Sequence, residues 1–376
     1  MPQKILILGG YGNTGRLIAD LLLQHSDARI VIAGRSAERA VRETKKLNAE
    51  YSGNRVTVQS VDATDSSELR MACANVDFLV NATSTSDHTR EIIQTVLAAN
   101  VDYLDTQYSS RKVAVLESLR PQIKDSQSCI ITDGGFHPGV PAALIRYAGR
   151  KFGVLTSASV GSCIRQNWKE IAVSDSTLAE MAEEFRDYRY DVYKGGKWES
   201  SWKNIRVFDF GDPIQSQSCA PMFLQELQTL PIEFTSLEEA GFYVAGFHWF
   251  VDYIVMMIGW LAMRIWPEQL KKSVGELLLW SLKRTSKPPF LTVLQLEAEG
   301  IWNGNPSHFR LRLSHHDGYY LTAAPVVACL LQYLEGEIGS PGLWYQGNIV
   351  EPNRFLQDLE RLGVTIEETR IQGELE

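Results

Sequence analysis

Three groups of residues in this 376-residue chain carry chemistry by type and spacing. The first is Gly10-x-Gly12-x-x-Gly15, with Tyr11, Asn13 and Thr14 filling the gaps. Glycines so spaced permit a tight turn, let the backbone approach a pyrophosphate, and bring a helix close to a strand. A helix starting there offers free N–H groups and a positive dipole end to phosphate. The second group is Gly34-Arg35-Ser36. An NAD site places Asp or Glu about 20 residues beyond the glycines, to bind the ribose 2′-hydroxyl. Here no acid occurs until Glu38. A guanidinium beside a hydroxyl suits a 2′-phosphate instead, through charge-assisted, bidentate bonds. The expected cofactor is therefore NADP. The third group is His137 with Asp105. Histidine titrates near neutral pH, which makes His137 the candidate proton donor. Asp105 would orient it or bind substrate. The structural alternatives are that His137 braces a Pro-Gly turn and Asp105 caps the next helix.

These residues need a frame, and the hydrophobic pattern supplies one. The apolar run 4–8 precedes the glycines and an amphipathic helix, 16–24, follows them, the context the glycine motif requires. Further strands are expected at 29–33, 55–61, 78–81, 102–105 and 128–132, each followed by a helix or a turn. Asp62 and Ala63 end the third strand, where the adenine edge would lie. Asn81, Ala82 and Thr83 end the fourth, where small residues let the chain cross close to a dinucleotide, or form a simple polar turn into the next helix. Alternation of this kind predicts an α/β fold: a Rossmann doubly wound parallel sheet covered on both faces. The loop 133–141, containing His137, lies at the carboxyl edge of that sheet, where open α/β sheets bind ligands.

Net charge is −8, with 22% charged and 44% hydrophobic residues, so nothing in the bulk points to nucleic acid. Five cysteines, widely spaced and without a C-x-x-C pair, argue against a disulfide framework or a zinc site. The chain begins directly with the first strand. These features together predict a cytoplasmic enzyme with a small-molecule substrate.

Several segments resemble the saccharopine dehydrogenase (saccharopine reductase) family. They are Gly9-Gly10-Tyr11-Gly12-Asn13-Thr14-Gly15, Ala33-Gly34-Arg35-Ser36, Val61-Asp62-Ala63-Thr64, Tyr103-Leu104-Asp105-Thr106 and Gly135-Phe136-His137-Pro138-Gly139-Val140-Pro141. A weaker likeness returns at Asp317-Gly318-Tyr319, Thr322-Ala323-Ala324-Pro325 and Gly342-Leu343-Trp344. The resemblance implies an NADP-binding Rossmann domain over 1–150 and a second α/β (α+β) domain with its own mixed sheet over 151–321. It further implies a C-terminal return to the first domain over 322–376, and hydride transfer as the chemistry. It does not carry the substrate across, because about 165–300 departs from the lysine-pathway enzymes. Short-chain dehydrogenases share the glycine spacing, but their Tyr-x-x-x-Lys pair occurs four times here, among them Tyr108/Lys112. A motif recurring so freely specifies little.

The segment 242–266 is long and apolar, with Asp252 near its centre and His248 four residues before it. An acid at that depth costs roughly 2.5–3.5 kcal/mol in a bilayer, so a protein interior or cavity explains that face better than lipid. The following stretch carries Lys271, Lys272, Lys283, Arg284 and Lys287, and 264–287 has a local net charge of +4. A basic amphipathic helix beside a Trp-rich apolar one reads as an interfacial membrane element. It equally reads as an apolar subunit interface, in a homodimer, or a domain core with a charged rim. Adjacent His315 and His316 point to opposite faces of a strand, and no third ligand is evident, so no metal is expected. Three functions follow: an NADP(H)-dependent oxidoreductase acting on a C=N, C=O or activated C=C bond; a membrane-associated reductase of a lipid or polyketide-like substrate, in contact through about 242–288; or a non-catalytic NADP sensor or scaffold.

Overall fold

In the computed structural model, which describes residues 2–173 and 175–372, the first strand β1 (Lys4–Leu8) is buried from Ile5 to Leu8. Its neighbours β2 (Arg29–Gly34) and β4 (Phe78–Asn81) are equally apolar and flank it in parallel, with Leu6 opposite Val31 on one side and Leu79 on the other. Strands buried on both faces read as continuous Val/Ile/Leu runs rather than alternating ones, and these do. With β3 (Val56–Ser60), β5 (Asp102–Asp105), β6 (Cys129–Thr132) and a late strand, Gly342–Tyr345, they form a seven-stranded sheet. Its order is Gly342–Tyr345, β6, β5, β4, β1, β2, β3, with every pairing parallel. This is the doubly wound α/β sheet. The order reverses between β1 and β4, so the ligand crevice opens at the carboxyl ends of those two strands.

Helices α1 (Asn13–His25), α2 (Ala37–Glu50), α3 (Ser66–Cys73), α4 (Thr89–Ala98) and α5 (Ser110–Asp125) connect the strands. Their starts follow ordinary capping chemistry: Ser36 accepts from the Arg39 N–H, Asp65 from those of Ser67 and Glu68, and Ser109 from that of Lys112. The chain up to Ala143, together with Tyr319–Gly363, makes one compact unit.

The second unit comprises Leu144–Gly318 and the chain from Val364 on. It has a nine-stranded mixed sheet. Its centre is β7 (Val154–Arg165), paired in parallel with Glu239–Ala245 and antiparallel with Leu291–Trp302, which in turn pairs with Asn305–His315. One edge strand is Thr365–Gln372, so the C-terminal return to the first unit stops at Gly363. Asp317-Gly318 is a dipeptide that favours hairpin turns, but here it has another place. It carries the chain from the Asn305–His315 strand into the helix Gly318–Leu334.

The apolar segment 242–266 is not one helix either. Its first residues end the strand Glu239–Ala245; a π-helical turn, Val251–Val255, then leads into a helix, Met256–Ile265. Asp252 therefore lies at a helix start, where its carboxylate accepts the N–H groups of Phe247 (3.0 Å) and His248 (3.1 Å). Burial raises its pKa, and those two bonds work against the rise.

Candidate functional site

The glycine turn fits a pyrophosphate on its own geometry. A Cβ on Gly15 would stand 2.3 Å from the Gly9 carbonyl oxygen, so helix and strand meet only because no side chain is there. Helix α1 starts at Gly12 with no side chain capping it, which leaves its first turn suited to an anion. Across the turn, the Ala82 N–H donates to the Leu8 carbonyl (3.0 Å), bringing the loop after β4 against the glycines. Asn81, fully buried, shapes that loop: its Oδ1 accepts from Thr83 N (3.2 Å) and Thr83 Oγ1 (2.6 Å), and its amide donates to Thr85 and Tyr103. These bonds fix the loop against the glycine turn.

The tip of β2 is organised by Tyr11. Its ring occupies the space a Cβ on Gly34 would need (2.6 Å), and its hydroxyl accepts the Ser36 N–H at 3.0 Å. The guanidinium of Arg39 lies over the same ring, 4.7 Å from its centroid. Arg35 is exposed beside them. Two arginines, Arg35 just before the Ser36 cap and Arg39 just after it, therefore flank the start of α2. Arg39 was legible as a residue in the first turn of the helix that Ser36 caps. Asp62 closes its own turn by accepting from Thr64 N (3.0 Å) and Thr64 Oγ1 (2.8 Å). Those bonds, and Arg35 more weakly, hold its carboxyl below the usual range. Ala63 is buried beside it.

Asp105 neither caps α5, whose cap is Ser109, nor stands open to a substrate. It is fully buried with Lys112, whose ammonium donates to Asp105 Oδ1 (2.6 Å), Asp133 Oδ1 (2.8 Å) and the Gln107 carbonyl. Thr132 Oγ1 donates to the second Asp105 oxygen at 2.9 Å. Lys112 sits in the first turn of α5, and long helical side chains point back toward the helix N-terminus, here the carboxyl edge of the sheet. Burial works against its charge, but the two aspartates outweigh it and its pKa ends above the ordinary value. Burial raises the Asp133 carboxyl, against the pull of Lys112. A spacing search finds Lys112 only as half of an unspecific pair; nothing in the sequence marks it as buried.

His137 lies in the loop after β6, half-buried, stacked on Phe136 with ring centroids 4.0 Å apart. Gln346, fully buried, ties this loop down by donating to the Gly135 carbonyl (3.1 Å), and its Oε1 has no partner among the described residues. Burial pushes the His137 pKa down to about 3. That direction favours the neutral ring, which can donate or accept a hydrogen bond.

Residues 5–130 match the family model of the saccharopine dehydrogenase NADP binding domain. Among solved structures, apo saccharopine dehydrogenase (L-Glu forming) from Saccharomyces cerevisiae is similar over 98% of this chain and 100% of its own, at 15% identity and a TM-score of 0.68. A dehydrogenase from Chromobacterium violaceum aligns over 84% of this chain and 75% of its own, at 11% identity and a TM-score of 0.41. No curated protein matches the chain by sequence. The first of these structures shares the fold. The domain match makes residues 5–130 a saccharopine dehydrogenase-like NADP-binding domain, and NADP its cofactor.

Proposed function

We propose that this NADP-dependent oxidoreductase of the saccharopine dehydrogenase-like type transfers hydride to or from a C=N, C=O or activated C=C bond of a small substrate. The observation that carries the cofactor half of this reading is the β2 tip. Arg35 stands where a carboxylate would serve the 2′-hydroxyl of NAD, and Arg39 and Ser36 flank it. When bound, NADP supplies or accepts the hydride. Gly10, Tyr11, Gly12, Asn13, Thr14 and Gly15 hold the pyrophosphate, Arg35, Ser36 and Arg39 the 2′-phosphate, and Asp62 and Ala63 the adenine edge. Asn81, Ala82 and Thr83 bound the crevice on the opposite side. Neutral His137 serves as a hydrogen-bonding group for the substrate. Asp105 is a positioning residue, acting through Lys112 on the loop that carries Asp133 and His137.

The test follows NADPH absorbance with a panel of imines, aldehydes and enoyl compounds, NADH being run in parallel. Turnover with at least one class, and at least tenfold better with NADPH, supports the reading. Tight NADP binding with no oxidation by any class would make the protein a sensor or scaffold.

A second reading concerns the substrate. Large apolar side chains on residues 249–266 face solvent. That surface favours a membrane-associated reductase of a lipid or polyketide-like compound, and a homodimer is the competing way to cover it.

A further inference from the structure

We propose that residues 249–285 form an interfacial membrane element, which lays the outer side of its first helix into an anionic bilayer surface. The proposal rests on the second reading above and gives it a surface, a depth and a headgroup charge. After α6 (Pro141–Gly149), the helices are α7 (Asp175–Asp187), α8 (Met256–Ile265) and α9 (Pro267–Thr285). The inner side of α8 and the π-helical turn before it step by four residues: Val251, Val255, Gly259 and Met263, all buried. Val251 and Val255 cluster with Leu278 and Leu282, and Met263 with Val274, so α8 and α9 fold back as an antiparallel hairpin, with α7 packed on both. The outer side also steps by four. Trp249 (64% exposed), Tyr253 (72%), Met257 (60%), Leu261 (51%) and Ile265 (49%) stand in solvent, with Trp260 beside them.

A helix that is apolar all round belongs in a protein interior or in lipid. This one has satisfied its inner side within the unit and left the outer side over. Exposed patches of that kind mark an interaction site. Charge identifies the occupant. Arg264 lies on the outer side, its guanidinium 5.3 Å from the Trp260 ring centroid, and Arg284 and Lys287 are exposed at the end of α9. The stretch 264–287 carries +4 in a chain of −8; Lys271 pairs with Glu183 of the acidic α7 (3.6 Å) and Lys272 with Glu276 (3.9 Å), so the attraction to a headgroup layer is assigned to Arg264, Arg284 and Lys287. A second copy apposed on this side would bring like charges together, whereas an anionic headgroup layer complements both the cations and the tryptophans. Residues 249–265 span about 25 Å as a helix. Among the described residues no helix is long and apolar enough to cross a membrane, so the element lies in the interface plane. Asp252 does not oppose this, because its carboxylate is taken by backbone N–H groups at the helix start.

The experiment is flotation of the full-length protein with vesicles of phosphatidylcholine, with and without phosphatidylglycerol. Co-flotation is expected with the anionic vesicles and is weakened by salt. Ile258→Glu with Trp260→Glu, both on exposed positions, lowers it to the vesicle-free level. Arg284→Ala and Lys287→Ala lower it by roughly fivefold each. NADP binding measured on the same samples stays at the wild-type level, which separates this proposal from the cofactor assignment. The proposal is overturned if the wild-type protein stays in the buffer with both vesicle types. It is equally overturned if sedimentation shows a dimer that the double glutamate variant dissociates, which would assign this side to a second copy.

Discussion

At the carboxyl edge of the parallel sheet Lys112 is fully buried, and its ammonium is spent on Asp105, Asp133 and the Gln107 carbonyl. On α8, Tyr253, Met257 and Leu261 are apolar and stand in solvent. Each region breaks the usual sorting of polar outside and apolar inside, but they resolve it differently. The buried charge finds its compensation inside its own unit, within hydrogen-bonding distance. The exposed apolar row has used its inner neighbours already, and the membrane contact proposed above is what would cover it. On that proposal the settled exception positions a loop and the open one takes a partner.

Stability measurements can break that distinction. Lys112→Met leaves two carboxylates facing each other in a dry site, and unfolding in urea should show a loss of about 3–5 kcal/mol. Tyr253→Ser, on the open row, should change the same curve by less than about 0.5 kcal/mol. Equal losses would mean that the row is internally packed and the contrast is false.

A pH series sharpens the first half of the comparison. Burial lowers the His137 pKa in the fold from the ordinary 6.5 to about 3. As pH falls from 6.5 toward 3, the unfolded chain binds a proton there and the folded chain does not, so stability declines across that window. In His137→Gln this part of the slope should disappear. An unchanged slope would show that the ring is not held neutral by the fold.

Much of the first unit was legible because its chemistry is local. Strand runs of Ile and Leu, the glycine spacing and the Ser36 cap all depend on near neighbours in sequence, and Arg35 could be placed from spacing alone. What escaped depends on tertiary contact. Lys112 meets Asp133 across 21 residues, and Gln346 reaches the Gly135 carbonyl across 211. His137 stands in the loop after a strand end, as its spacing suggests, yet the burial that lowers its pKa is something no spacing reveals. The segment 242–266 misled in another way. Its composition is uniformly apolar, so the break between the strand ending at Ala245 and the following helix leaves no periodic signature, and Asp252 seemed central when it stands at a helix start. The strand Thr365–Gln372 carries Thr, Glu and Arg in place of a clean alternation, and went unread.

The measurement closest to the central claim is calorimetric titration of NADP and NAD into the wild-type protein and into Arg35→Ala. NADP should bind the wild type more tightly than NAD, and the variant should lose about ten- to hundredfold of its NADP affinity, the worth of one charged hydrogen-bonding partner, while its NAD affinity is unchanged. Equal loss for both dinucleotides, or no heat from either with the wild type, would contradict the assignment of the β2 tip to a 2′-phosphate.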